Sequence, residues 1–222
     1  MVRTVYALGF SRWKHRPLRL CFSGWNVRFV RDVSKVPSGA VVAAWGRHEI
    51  SDVEAQGFNV VRVEDGFLRS VGLGADLTRP ISWVLDWSGI YFDASKPSDL
   101  ETMLSETVFP SDLMKRAAVL RERVVAAGLT KYNVGTMRWG RPSGVTRVIL
   151  VPGQVESDAS IALGAVETKT NLGLLKAVRA ANPDAYVLYK PHPDVLARMR
   201  AKGEGEDTAV CWCNESHCAN DD

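Results

Sequence analysis

The sequence predicts an α/β fold built as two doubly wound units, the second of them incomplete. Three observations predict it. Short β-branched or aromatic runs alternate with helical patterns, as in parallel strands joined by crossover helices. Residues 131–144, with Asn133, Gly135, Gly140, Pro142 and Gly144, interrupt that alternation and read as a linker. A fresh strand-first pattern then begins at Thr146. The predicted boundaries are 1–140 for the first unit, 145–202 for the second and 203–222 for an irregular acidic, Cys-containing tail.

Six buried strands are expected at residues 27–30, 40–45, 59–63, 81–85, 148–151 and 186–189, each bounded by Gly, Pro, Asp or Ser. Three helices have defined starts. Ser98 and Glu101 have the spacing of a capping box ahead of Leu100, Met103 and Leu104. Ser111 and Asp112 open a second helix whose Leu113, Ala117, Leu120, Val124 and Ala127 repeat every 3.6 residues until Gly128. A third runs from about Thr170 to Asn182, buries Leu172, Leu175 and Val178, and is stopped by Pro183. A fourth is expected to start within 194–201. One strand, a helix, a strand and a helix start do not close a sheet, so the second unit lacks strands that a full doubly wound domain has.

Composition narrows the class. The chain has 222 residues, and 46% hydrophobic with 24% charged content is globular rather than disordered or fibrous. No stretch reaches the roughly 18 consecutive apolar residues of a membrane-spanning helix. Arg12, Lys14, His15, Arg16 and Arg19 break any signal-peptide core. The same segment is acid-free up to Asp32, as transit peptides are, but Trp13 and Pro17 spoil an amphipathic helix there. The chain reads as cytoplasmic. Its four cysteines make no disulfide framework. Cys211, Cys213 and Cys218 beside His217 match no paired-knuckle zinc spacing, so no metal is expected in the tail.

Charge is unevenly placed. The tail carries Glu204, Glu206, Asp207, Glu215, Asp221 and Asp222 without Lys or Arg, so a chain of net +3 has a tail of −6 and a body of +9. A body of that sign suits phosphate, nucleotide or lipid headgroup partners. Nucleic acid is not expected, because no basic run is interleaved with stacking aromatics.

Three polar clusters fall at strand ends. Glu64, Asp65 and Gly66 follow the strand ending at Val63, where ligands bind in open α/β sheets. Adjacent carboxylates repel, which raises one pKa and suits an acid/base; a solvated Asp-Gly turn is the bland alternative. Residues 152–160 follow the next unit's first strand. There Gly153 permits close backbone approach, Asp158 can serve as nucleophile or acid/base, and Ser157 or Ser160 can donate to phosphate. Alternatively Asp158 or Ser160 merely caps a helix. Lys190, Pro191, His192 and Pro193 close the last strand, with His192 on a loop stiffened by two prolines and Lys190 beside it, a pairing that favours anions. A structural histidine is the alternative. Split between two units, the clusters have the layout of a two-domain glycosyltransferase of the GT-B type.

The runs 64–74 (EDGFLRSVGLG), 151–160 (VPGQVESDAS) and 189–194 (YKPHPD), with the opening 9–14 (GFSRWK), resemble the capsule polysaccharide biosynthesis/export family over roughly residues 6–202. The resemblance implies a GT-B-like enzyme that moves β-Kdo from CMP-Kdo onto a Kdo/phosphatidylglycerol glycolipid linker. It implies Asp158 as the carboxylate nucleophile of a retaining double displacement, Glu64 as the acid/base for the acceptor hydroxyl and Asp65 as its tuner. His192 and Lys190 would hold the CMP phosphate, aided by Gln154, Ser160 and Gly153, while the charge of Arg69 suits the Kdo carboxylate. No cofactor or metal is implied. The partners implied are a CMP-sugar donor and a glycolipid acceptor, with peripheral contact to the inner membrane or to capsule export machinery. Acidic-Gly and His-Pro motifs also recur in bacterial sialyltransferases, so another CMP-nonulosonate donor is an alternative. The family pattern stops near Lys202, where the composition shifts, and a C-terminally truncated, inactive fragment or binding module is the other alternative.

Overall fold

A computed structural model describes residues 3–45, 53–54, 56–73, 77–134 and 139–216. It divides the chain into two compact units, Met1–Val134 and Gly135–Asp222.

The first unit is a five-stranded sheet of β1 (Thr4–Leu8), β2 (Asn26–Val30), β3 (Val41–Trp45), β4 (Asn59–Asp65) and β5 (Trp83–Asp86), in the order β2-β1-β3-β4-β5. The first four strands are mutually parallel, as expected. β5 is antiparallel to β4, which the sequence pattern did not announce. Its reversal also lengthens β4: Glu64 pairs with Val84 and Asp65 with Trp83, so the acidic pair belongs to the strand rather than to the turn after it. The run expected to start β5 at Ile81 enters later. The Ile81 amide donates to the Arg69 carbonyl at 2.7 Å and so is not available to a strand ladder.

β1 was not among the expected strands, yet it lies between β2 and β3. Its side chains alternate between two cores. Val5 and Ala7 face a core with Leu18, Phe22, Ala43, Val61 and Val63, while Tyr6 and Leu8 face a second core with Val36, Val42, Ala44 and Val60. β3 is buried on both faces in the same way, but Ser38, Gly39 and Gly46 bracket it, whereas Thr4–Leu8 has no such residue on its N-terminal side.

Two helices follow, Asp99–Glu106 and Ser111–Ala126. The Ser98 hydroxyl accepts the Glu101 amide at 3.1 Å, as the capping spacing predicts. The periodic stripe of the second helix is not core: Leu113 and Leu120 are 42% and 56% exposed, and the helix has no buried residue.

The second unit holds a parallel sheet, β6 (Val148–Pro152), β7 (Tyr186–Lys190) and β8 (Glu215–Ser216), in that order. The helix Asn171–Ala181 packs Leu175 into a core with Val151, Val187, Tyr189 and Ala209. Two expectations are corrected here. The tail is not irregular throughout: Glu206–Cys211 forms a 3-10 helix that buries Ala209, and β8 adds a third strand. Its acidic residues are used as acceptors, since Glu206 takes the buried Tyr189 hydroxyl and Glu215 the Tyr186 hydroxyl. The helix after His192 is a single turn, Pro193–Leu196, because the Asp194 carbonyl accepts the Met199 and Arg200 amides and Arg198 turns left-handed at φ 57°. Cys211 and Cys213 are free thiols, whereas His217 and Cys218 lie outside the described residues.

Candidate functional site

In the first unit the acidic motif sits at the C-terminal edge of β4. The Asp65 amide donates to Glu64 Oε1 at 2.9 Å, which folds the Glu64 side chain back along its own strand. Burial raises the Glu64 pKa above the usual glutamate range, the Asp65 amide draws it partly back, and the neighbouring Asp65 charge raises it further. The expected pairing of two carboxylates is therefore present, and desolvation rather than repulsion is its main physical cause.

Arg69 does not fit the role implied for it. Its side chain is 1% exposed; Nε donates to Asp65 Oδ2 at 2.7 Å and Nη1 to Ser70 Oγ at 2.8 Å. A guanidinium committed to a carboxylate inside the unit is an anchor for Asp65, not a receptor for a sugar acid. The Asp65 Oδ1 atom and the Trp83 indole N–H, on facing strand positions, are buried without a hydrogen-bond partner among the described residues.

Lys14 joins this cluster, and sequence reasoning gave it no role. Its ammonium lies 3.1 Å from the Trp45 ring centroid, in an aromatic group where Trp45 meets Phe10 and Trp83 edge-on and those two rings are tilted against each other. Burial pulls its pKa down to about 8, while the charges of Asp65 and Glu64 push it back up and Arg69 lowers it. The signal available in the sequence was its place at the end of the 9–14 motif.

In the second unit the other two clusters come together. The Gly153 amide donates to the Lys190 carbonyl at 2.7 Å, and Pro152 stands opposite Lys190 in the ladder. The loop after β6 and the loop after β7 are therefore neighbours. Asp158 caps the helix Ala159–Gly164: both the amide and the hydroxyl of Ser160 donate to Asp158 Oδ1, at 3.0 and 2.9 Å. The capping alternative is thus realised, and it fixes the carboxylate half-buried at the strand's exit. Ser160, expected to serve phosphate, spends its proton on Asp158.

Gly153 is required for packing. A Cβ there would lie 2.6 Å from the Tyr189 hydroxyl, so the close approach it permits is to a core ring. Gln154 is held by Asn171, which accepts its amide at 2.8 Å and donates to its carbonyl at 2.9 Å. Glu156 secures the same clamp by accepting the Asn171 amide at 2.7 Å. Neither residue was singled out from the sequence, because a helix-start asparagine looks like an ordinary turn residue. Lys190 is exposed. His192 Nδ1 accepts the Asp194 amide at 3.1 Å, so the neutral ring carries its proton on Nε2.

Residues 42–205 match the model of the family described as capsule polysaccharide biosynthesis protein. The chain belongs to that family. Its relatives include capsule polysaccharide modification proteins LipA of two Neisseria meningitidis strains, serogroup A at 37% identity and serogroup B at 39%, each over 96% of this chain and 32% of the relative. The lipopolysaccharide-processing protein LpsZ of Rhizobium meliloti is 39% identical over 88% of this chain and 48% of its own. This capsule-family chain thus spans from about a third to about half of the length of those relatives. Among solved structures, Thermosulfurimonas dismutans KpsC, β-Kdo 2,7 transferase, aligns at TM-score 0.74 and 33% identity over 97% of this chain and 67% of the other. The KpsC β-Kdo 2,4 transferase aligns at 0.74 and 29% identity, over 92% and 64%. The fold is therefore GT-B-like, with the second Rossmann-like unit incomplete. Among the described residues no helix is long and apolar enough to cross a membrane.

Proposed function

We propose that this chain is a glycosyltransferase module of capsule polysaccharide synthesis that moves β-Kdo from CMP-Kdo to a glycolipid acceptor with retention at the anomeric carbon. The observation that carries the reading is Glu64, a carboxyl held above its ordinary pKa at the edge of β4, in a chain similar over nearly its whole length to two Kdo transferases. A carboxyl whose pKa is raised by burial is a stronger base once ionised, which suits it to take a proton from a hydroxyl.

In this reading an Asp158 oxygen attacks the anomeric carbon while the bond to the CMP phosphate breaks, and the electron pair leaves on phosphate. Lys190 and the His192 Nε2–H offset that charge, so phosphate needs no metal. Glu64 then takes the proton of the acceptor hydroxyl as its oxygen attacks the same carbon and releases Asp158, two inversions giving retention. Asp65, pinned by Arg69, keeps Glu64 in place and raises its basicity. The donor is a cytoplasmic nucleotide sugar and the acceptor lipid-linked, so the module works at the inner face of a membrane.

The test is to incubate the chain with CMP-Kdo and read intact and peptide masses. A Kdo adduct on Asp158, absent in Asp158→Ala, is expected. No adduct, with Asp158→Ala keeping the wild-type transfer rate, overturns the nucleophile assignment; release of CMP without any Kdo-bearing product overturns the transferase.

A further inference from the structure

The stretch 131–144 has the composition of a linker, yet its first residues are bound to the loop that follows the acidic motif. The Lys131 carbonyl accepts two amides, from Arg69 at 2.8 Å and from Ser70 at 3.2 Å, and the Tyr132 carbonyl accepts the Gly72 amide at 2.8 Å. Asn133 completes the clamp. Its Nδ2 donates to the Ser70 carbonyl at 3.0 Å, its Oδ1 accepts the Thr130 amide at 2.9 Å, and its own amide donates to Thr130 Oγ1 at 2.9 Å. Asn133 is left-handed at φ 50°, a conformation that asparagine tolerates better than most residues with a side chain. Arg69, whose amide the clamp holds, is the residue whose guanidinium holds Asp65. Residues 130–133 and the acidic pair therefore share one frame.

That frame carries a cation. Lys131 is half-buried, with its ammonium 5.3 Å from the Tyr132 ring centroid, and it forms no ion pair with a carboxylate among the described residues. The charged groups that act on Glu64 come from three places. Asp65, beside it on β4, disfavours its ionised form; Lys131 on the clamp and Lys14 on the 3-10 turn Arg12–Lys14 favour it. Arg69 is spent on Asp65. Burial and Asp65 thus oppose the carboxylate that has to accept a proton, and the two lysines oppose them from opposite ends of the unit's sequence. Lys14 lies against the Trp45 ring, whereas the position of Lys131 is set by backbone bonds that survive replacement of its side chain.

We propose that Lys131 is a positioning residue for the acid/base: the clamp of residues 130–133 holds its ammonium near Glu64, where it keeps that carboxylate charged for proton abstraction. The inference rests on the role proposed for Glu64, and its test reads that side chain directly.

Glutamate labelled at the side-chain carboxyl carbon is titrated by NMR in the wild type, Lys131→Met, Lys131→Arg and Asn133→Gly, with Glu64→Gln assigning the signal. The expected result is a Glu64 midpoint displaced to higher pH in Lys131→Met and restored in Lys131→Arg. Asn133→Gly keeps the left-handed backbone but deletes the side-chain bonds of the clamp, so its midpoint should move the same way by a smaller amount. In transfer assays, kcat of Lys131→Met should fall roughly tenfold on the acid side of the midpoint and recover at higher pH, with acceptor KM unchanged. An unmoved midpoint in Lys131→Met overturns the proposal, as does a midpoint in Lys131→Arg displaced as far as in Lys131→Met. Asn133→Gly titrating like the wild type overturns the clamp's part in it. A raised acceptor KM with an unmoved pH profile also overturns it, making Lys131 a substrate contact instead. A displaced midpoint in a chain that transfers no sugar would sink the transferase reading and leave the Lys131–Glu64 coupling standing; transfer with an unmoved midpoint would do the reverse.

Discussion

Arg69 donates from Nε to Asp65 Oδ2 at 2.7 Å while only 1% of its side chain reaches solvent, so the second residue of the acidic motif is held by an internal cation. Removing one member of a buried pair strands the other charge. Arg69→Ala is expected to destabilise the first unit by about 3–5 kcal/mol, read as a lowered urea midpoint. A loss under about 1 kcal/mol, the range of an exposed pair, would mean that Asp65 finds water instead.

Glu64 has a folded pKa above its unfolded one, chiefly through burial. Its protonated form is therefore favoured by folding. That contribution is complete below the ordinary glutamate range and is lost as pH rises through the raised value. Glu64→Gln, permanently neutral, should be more stable than the wild type at neutral pH and equal to it in acid. Its transfer rate should fall by roughly 10²–10⁴. Unfolding midpoints at the two pH values, beside transfer assays, check both halves.

Lys14 has the opposite sense. Its folded pKa is down at about 8, against an ordinary value of 10.5, because burial disfavours the ammonium. The unfolded chain binds that proton more tightly, so stability rises with pH across this window. Lys14→Met should be more stable than the wild type at neutral pH, with the gain vanishing once pH passes the ordinary lysine value. Denaturant curves through that range would show a constant offset if the ammonium were not buried.

The Tyr189 ring is 1% exposed and its hydroxyl donates to Glu206 in the tail. Glu206→Ala leaves that hydroxyl buried without its partner, at an expected cost of about 1–3 kcal/mol. Gly153→Ala drives a methyl against the same ring and should cost about 1–3 kcal/mol by overpacking. The two changes share one ring, so the double variant should lose less than the sum. Thermal unfolding of the set would reveal strict additivity if the contacts were independent.

The helix Ser111–Ala126 has no buried residue, and helices of that length are marginal in water on their own. Its amides should exchange with solvent deuterium within seconds to minutes, whereas those of Val42, Val61 and Val187 should stay protected far longer. Equal protection would show that the helix is covered in solution.

Much of the fold was legible because its signals are local. The Ser98 cap, the stop at Pro183 and the β-branched runs at Val148 and Tyr186 act within a few residues. β1 escaped because no Gly, Pro, Asp or Ser bounds Thr4–Leu8 on its N-terminal side, whereas β3, equally buried on both faces, is bracketed by Ser38, Gly39 and Gly46. The reversal of β5 escaped because strand direction is decided by a loop, not by composition. The candidate site divides the same way. Glu64, Asp65, Asp158, Lys190 and His192 stood out by type and by position at strand ends. The commitment of Arg69 to Asp65, the Asn171 clamp on Gln154 and the Tyr189 contact behind Gly153 depend on partners up to tens of residues away, and chain spacing carries no record of them. The composition break at residue 203 marked a real change, but Ala209 and Glu215 still found places in the second sheet's core and edge.

The direction of β5 has one more effect. In a run of parallel strands, the loops that reach the reactive edge are those leaving each strand. A reversed neighbour presents the loop that enters it. Ile81 and Ser82 therefore border the acidic motif from the upstream side. Changes of length or character in that approach could retune which acceptor is admitted while the strands carrying Glu64 and Asp65 keep their register, so recognition and chemistry on this lobe are free to diversify separately.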